Sequence, residues 1–175
     1  MNLQKCLFWA LFLLNFSVFA QSTASPNVST FEIAAPQLDT IRKIWVYLPE
    51  NYETSEESYP VLYMHDAQNL FDAATSYSGE WKVDEVLDSL KTPQVIVVGI
   101  EHGNDKRIEE LTPYPNEKYG GGKADAYVNF LMITLKPHID ATYRTLPDAE
   151  NTAIMGSSLG GLTSFYAAIK YPETF

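Results

Sequence analysis

Val95 to Ile100 is an unbroken apolar run, the pattern of a strand covered on both faces in a parallel sheet. Parallel neighbours cannot be joined by tight hairpins, so crossover helices must lie between such strands. The chain supplies both kinds of element. Phe31 to Ala35 and Ile41 to Leu48 read as successive strands separated by Pro36 and Asp39 and closed by Pro49, and Val61 to Met64 as a buried strand ending at His65-Asp66. Val83, Val86, Leu87 and Leu90 share one helical face. Tyr127, Phe130, Leu131, Leu135 and Ile139 share another, where Pro137 predicts a kink or a restart. Thr152 to Met155 reads as a further buried strand. Leu162, Phe165, Tyr166 and Ile169 predict the core face of a helix that stops before Pro172. The expectation is an α/β fold with a mostly parallel sheet and no internal repeat.

The N-terminus reads differently. Lys5 precedes an apolar stretch, Cys6 to Leu14, that is too short to span a bilayer, and Ser17-Val18-Phe19-Ala20 offers small residues for cleavage before Gln21. Residues 1–20 are thus expected to be a secretory signal, residues 21–30 a flexible Ser-, Thr- and Pro-containing leader, and residues 31–175 the folded domain. The expected location is periplasmic or secreted. Cys6 is the one cysteine, so a disulfide framework and a cysteine-based zinc site are excluded. With 22 acidic against 12 basic residues, the net charge of -10 opposes phosphate backbones and anionic membrane surfaces, so neither nucleic acid nor membrane is an expected partner. Asp66, Asp72 and Asp84 match no calcium-loop spacing, and no metal is expected. Nothing in the sequence fixes an oligomeric state.

Gly156-Ser157-Ser158-Leu159-Gly160 fits G-x-S-x-G where an apolar strand hands over to an amphipathic helix. In that context the pattern describes a nucleophile on a tight turn, with its hydroxyl exposed and glycines at the flanking positions to avoid collisions. Ser158 is the candidate nucleophile. Leu159, at the start of the helix, would aim its amide at the carbonyl oxygen of a bound ester. A second donor usually comes from the loop after the third strand, here His65-Asp66-Ala67-Gln68-Asn69, and Ala67 is the candidate. The plainer alternatives are a phosphate-binding turn, which lacks a lysine in P-loop spacing, or an ordinary strand-to-helix connection. Arg107 and Glu110 are expected to pair with each other, and Tyr77, Trp81, Tyr114 and Tyr119 to wall a substrate cleft.

A family resemblance rests on Tyr47-Leu48-Pro49, Tyr59 through Asp72, Glu80-Trp81, Arg107 with Glu110, Ile139-Asp140 with Tyr143-Arg144, and Gly156 through Gly161. Together these resemble the putative-esterase family, the esterase D and enterochelin-esterase-like branch of the α/β-hydrolases, from about Ile41 to Phe175. Members often carry Gly where Ala67 stands. The resemblance implies a three-layer α/β-hydrolase sandwich and a serine nucleophile acting on carboxylic esters or thioesters, without metal or organic cofactor. It implies a small-molecule or carbohydrate ester as substrate. In that fold the chain order is Ser, then Asp or Glu, then His. After Ser158 the sequence offers Glu173 but no His, while His65, His102 and His138 all precede it. The last strands and two triad members are therefore expected to be missing, leaving this fragment by itself inactive and either poorly soluble or partly unfolded. Acyl transfer to a sugar, and a non-catalytic binding module on the same fold, are the alternatives to ester hydrolysis.

Overall fold

A computed structural model describes residues 21–77, 79–90 and 94–175. The expected signal peptide lies outside the described residues. Strands β1 (Val28–Ala35), β2 (Thr40–Tyr47), β3 (Val61–His65), β4 (Ile96–Ile100) and β7 (Thr152–Met155) form one sheet in the order β1-β2-β4-β3-β7, and β5 (Pro115–Asn116) and β6 (Gly120–Gly121) form a separate ribbon. The sheet is mixed. β4, β3 and β7 are parallel, while β1 pairs with β2 and β2 with β4 in antiparallel fashion. The helices are α1 (Val83–Ser89), α2 (Arg107–Glu110), α3 (Ala124–Asn129), α4 (Lys136–Thr142) and α5 (Leu159–Lys170). Among the described residues no helix is long and apolar enough to cross a membrane.

The period-two alternation of the strands divides the core into two halves. Ile44 and Val46 of β2, Val61 and Tyr63 of β3, and Ile96, Val98 and Ile100 of β4 pack with Tyr127, Phe130, Leu131, Leu135 and Ile139. Trp45, Tyr47, Met64 and Val97 point the other way, onto Ala67, Leu70 and Phe71, with Val83 and Leu87 of α1 packed against them. Helical layers on both faces give the three-layer architecture expected of an α/β-hydrolase. Gly99 is required where these layers meet, because a Cβ there would lie 2.8 Å from the Ala67 Cβ.

Several elements differ from the sequence reading, each for a physical reason. β1 begins at Val28, which takes Val28 to Thr30 out of the expected flexible leader and into the sheet. Among the described residues β7 pairs with β3 alone, and of its residues only Thr152 is buried and Met155 is exposed. On α5 the buried residues are Gly160, Thr163, Ser164 and Ala167, while Phe165 is 68% and Ile169 63% exposed. Small residues let α5 approach its neighbours closely, and Thr163 Oγ1 donates to the Leu111 carbonyl at 2.7 Å. The apolar stripe of α5 faces away from them. α1 is too short to bury its full face, and Val86 and Leu90 are exposed. Pro137 sits in the first turn of α4 after a π-helical segment, Phe130–Leu135, whose wider turn accommodates a residue with no N–H to donate.

The expected Arg107–Glu110 pair does not form. Glu110 instead accepts from Arg42 at 2.7 Å, and the two side chains are only 4% and 5% exposed. This buried pair ties β2 to α2. Arg42→Met is expected to cost about 3–5 kcal/mol by stranding a buried carboxylate, whereas Arg42→Met with Glu110→Leu should recover most of that loss. Urea unfolding of the four proteins of this cycle measures the coupling, and additive effects would show that the pair does not act as a unit.

Candidate active site

Because β3, β4 and β7 are parallel and adjacent, the loops that leave their C-terminal ends gather at one edge of the sheet, where open α/β sheets bind ligands. The turn from β7 into α5 is Gly156-Ser157-Ser158. Ser158 has φ 54° and ψ -119°, a conformation that costs a non-glycine residue ~1–3 kcal/mol and persists where the surroundings over-determine it. Its carbonyl accepts from the Leu162 amide at 3.0 Å, and the Ser157 carbonyl accepts from the Gly160 amide at 2.8 Å. Both flanking glycines are needed for space. A Cβ on Gly156 would lie 2.9 Å from the Gly160 backbone and from the His65 ring, and one on Gly160 would lie 3.1 Å from the His65 Cβ.

His65 closes β3 directly beneath this turn. It is 2% exposed, and its Nδ1 shares a 2.7 Å hydrogen bond with the buried Tyr127 hydroxyl. Burial drives its pKa down to about 4, and the Arg107 charge pushes the same way against the opposing pull of Asp66. His65 is therefore neutral at physiological pH. Asp66 follows with φ 59° and opens the short turn Ala67–Asn69. Arg107 holds it in a fork, Nε to Oδ1 and Nη2 to Oδ2, both at 2.7 Å. The same bond to Asp66 raises the guanidinium pKa further, so this charge is permanent.

Ser157 and Ser158 open onto a cavity of about 740 Å³, lined also by His65, Asp66, Gln68, Asn69, Trp81, His102 and Arg107. Tyr77 and Trp81 form its aromatic side, whereas Tyr114 and Tyr119 do not reach it. Ala67 and Leu159 are not among the residues lining the cavity but are next in sequence to Asp66, Gln68 and Ser158, which are; the Ala67 side chain is buried against Gly99 and that of Leu159 packs toward the core. His102 lines the cavity rather than lying on the outer surface, and its Nδ1 accepts from the Asn104 amide at 2.8 Å. His138 does not line the cavity, and its ring meets that of Phe31 in a tilted contact at 5.1 Å. Outside the cavity, Glu80, Asp84 and Glu85 each bring a carboxylate oxygen within 4.8 Å of the others, the described group best able to hold a cation.

A family model described as "Putative esterase" matches residues 35–175. The uncharacterized protein YbbA of Bacillus subtilis is 27% identical over 140 residues, which cover 77% of this chain and 53% of that protein. An endo-1,4-β-xylanase/feruloyl esterase of Xylanibacter ruminicola is 27% identical over 139 residues, 74% of this chain and 18% of the relative. Among solved structures, an IroE-like serine hydrolase from Shewanella oneidensis superposes with a TM-score of 0.69 at 25% identity, covering 85% of this chain and 48% of that one. The enterobactin esterase Fes of Shigella flexneri gives 0.67 at 20% identity over 88% and 36%, a likeness of fold. The chain spans about half the length, or less, of the relatives it matches.

The state of His65 has a measurable consequence. Its folded pKa of about 4 lies below the ordinary value of about 6.5, so between these pH values the unfolded chain binds a proton that the folded chain refuses. Stability is fully present above pH ~6.5 and falls as pH falls toward ~4. Urea unfolding at pH 7 and pH 4.5 should show His65→Asn losing about 2 kcal/mol less on acidification than the parent, since the other titrating groups are common to both. Equal losses would mean that His65 is not held neutral.

Proposed function

Because the chain belongs to the putative-esterase family, we propose that it carries the nucleophile half of a serine esterase, with Ser158 as the attacking residue. The observation that carries this reading is the conformation of Ser158, held at positive φ between β7 and α5 and opening onto the cavity beside the Asp66–Arg107 fork. Ser158 Oγ adds to the acyl carbonyl of a small-molecule ester while its proton passes to a histidine. The tetrahedral oxyanion is held by the amides of Leu159 and Ala67, the carbon–oxygen bond to the alcohol breaks, and the alcohol leaves with that proton. Water then repeats the sequence on the acyl-enzyme and frees the acid. Each such amide is typically worth ~3–4 kcal/mol in the transition state.

The described histidines do not suit the role of base. His65 is neutral but buried, with Nδ1 engaged by Tyr127; His102 lines the cavity but its Nδ1 is taken up by the Asn104 amide, and it precedes the serine in the chain; His138 lies outside the cavity, its ring against Phe31. We assign the proton-accepting histidine and its acid partner to other parts of the whole protein, in keeping with the order Ser, acid, His. The Asp66–Arg107 fork acts on the Ala67 amide, since it fixes the turn that presents it. Export is part of the same proposal and rests on the character of residues 1–20.

In the full-length protein, Ser158→Ala should lower kcat/KM for ester hydrolysis by at least about 10³-fold. Arg107→Lys, which keeps the charge but loses the fork, should lower kcat by about tenfold with little change in KM. Initial-rate kinetics on a chromogenic ester reads both. Turnover unaffected by Ser158→Ala would remove the nucleophile assignment.

A further inference from the structure

The segment before β1 is not idle. Ser22 Oγ donates to Asp72 Oδ2 at 2.6 Å and the Thr23 amide to Asp72 Oδ1 at 3.2 Å. Thr23 Oγ1 donates to Glu80 Oε1 at 2.8 Å and accepts from the Ala73 amide, also at 2.8 Å. The Ser25 amide donates to Asp84 Oδ2 at 2.7 Å, and Asn27 Nδ2 to Asp88 Oδ1 at 3.0 Å. Burial opposes ionisation of Asp72, yet the Ser22 hydroxyl and the Ala74 and Thr23 amides hold its pKa below the ordinary value. None of these four carboxylates forms an ion pair with Lys or Arg among the described residues. The N-terminal segment partners all four, with the Tyr47 hydroxyl also donating to Asp88 Oδ1 at 2.9 Å, and the segment's own end is anchored where the Leu48 amide donates to the Asn27 carbonyl at 3.1 Å.

The stretch held in this way carries the aromatic side of the cavity. From within, Asn69 fixes it: its Oδ1 accepts from the Tyr77 amide at 2.9 Å and its carbonyl from the Trp81 amide at 2.8 Å. From outside, Thr23 alone bridges Ala73 and Glu80, one on each side of Tyr77 and the second adjacent to Trp81. The Glu80 carboxylate is thus held by Thr23, so the position of Trp81 draws on residues far away in sequence as well as on Asn69.

We propose that Ser22 to Asn27 form a positioning strap for the aromatic wall, and that the strap sets affinity for esters bulky enough to reach Trp81. The second half of this statement rests on the serine-esterase reading, and the first half does not. Ser22 and Thr23 are positioning residues that act through Asp72 and Glu80. Small esters, which engage Ser158 without touching Trp81, are indifferent to the strap.

The test uses the full-length protein carrying Ser22→Ala with Thr23→Val, and Thr23→Ser as the conservative variant that keeps the hydroxyl. By NMR hydrogen exchange, the Trp81 and Val83 amides should exchange about tenfold faster in the double variant, with β3 and β4 amides unchanged. KM for 2-naphthyl acetate should rise about fivefold with kcat unchanged, kcat/KM for ethyl acetate should not move, and Thr23→Ser should behave as the parent. Unchanged exchange at Trp81 overturns the strap, and an equal loss on both esters overturns its role in affinity. If the parent hydrolyses neither ester, the esterase reading fails and hydrogen exchange alone decides whether the strap holds the wall.

Discussion

The arrangement depends on one close approach. The turn between β7 and α5 lies so near the end of β3 that neither Gly156 nor Gly160 has room for a methyl group over His65. Parallel pairing of β3 with both β4 and β7 brings these ends together, and His65 provides the surface against which the Ser158 turn is pressed. A flexible side chain would let that turn relax. The His65 ring is instead fixed by Tyr127, itself fully buried in the helical layer, so the strain at Ser158 is borne by the packed core.

The polar groups around this contact sort by what they can stabilise. Asp66 is gripped in the site wall by a forked arginine, an arrangement in which both oxygens are satisfied. Arg42 and Glu110 lie deeper and face a larger desolvation cost, so their pairing resists the loss of one partner more than it adds net stability. On the outer side, acidic residues of the β3–α1 connection and α1 are met by hydroxyls and amides of the N-terminal segment. The three arrangements hold the β3 loop, α2 and the aromatic wall in register with Ser158.

Much of this was legible in the residues. Strand and helix identities followed from the periods of Val61 to Met64, Val95 to Ile100 and Tyr127 to Ile139, and the glycine spacing singled out Ser158. What escaped was long-range or depended on which face a neighbour covers. Arg107 meets Asp66 across the fold and Arg42 meets Glu110, pairings that carry no local pattern. The stripe Leu162, Phe165 and Ile169 has the periodicity of a core face, yet the buried side of α5 is built from small residues because the backbones there come close. Residues 22–27 have the composition of a loose leader, and it is carboxylates and amides presented by the folded chain that order them.

The central claim is that Ser158 becomes acylated. Peptide-mapped mass spectrometry of the full-length protein after reaction with a fluorophosphonate tests it most directly, because the adduct reports the attacking atom itself. The account predicts one covalent adduct, on the peptide containing Ser158 and on that serine. An adduct on another residue, or ester turnover that continues with Ser158 unmodified, would contradict it.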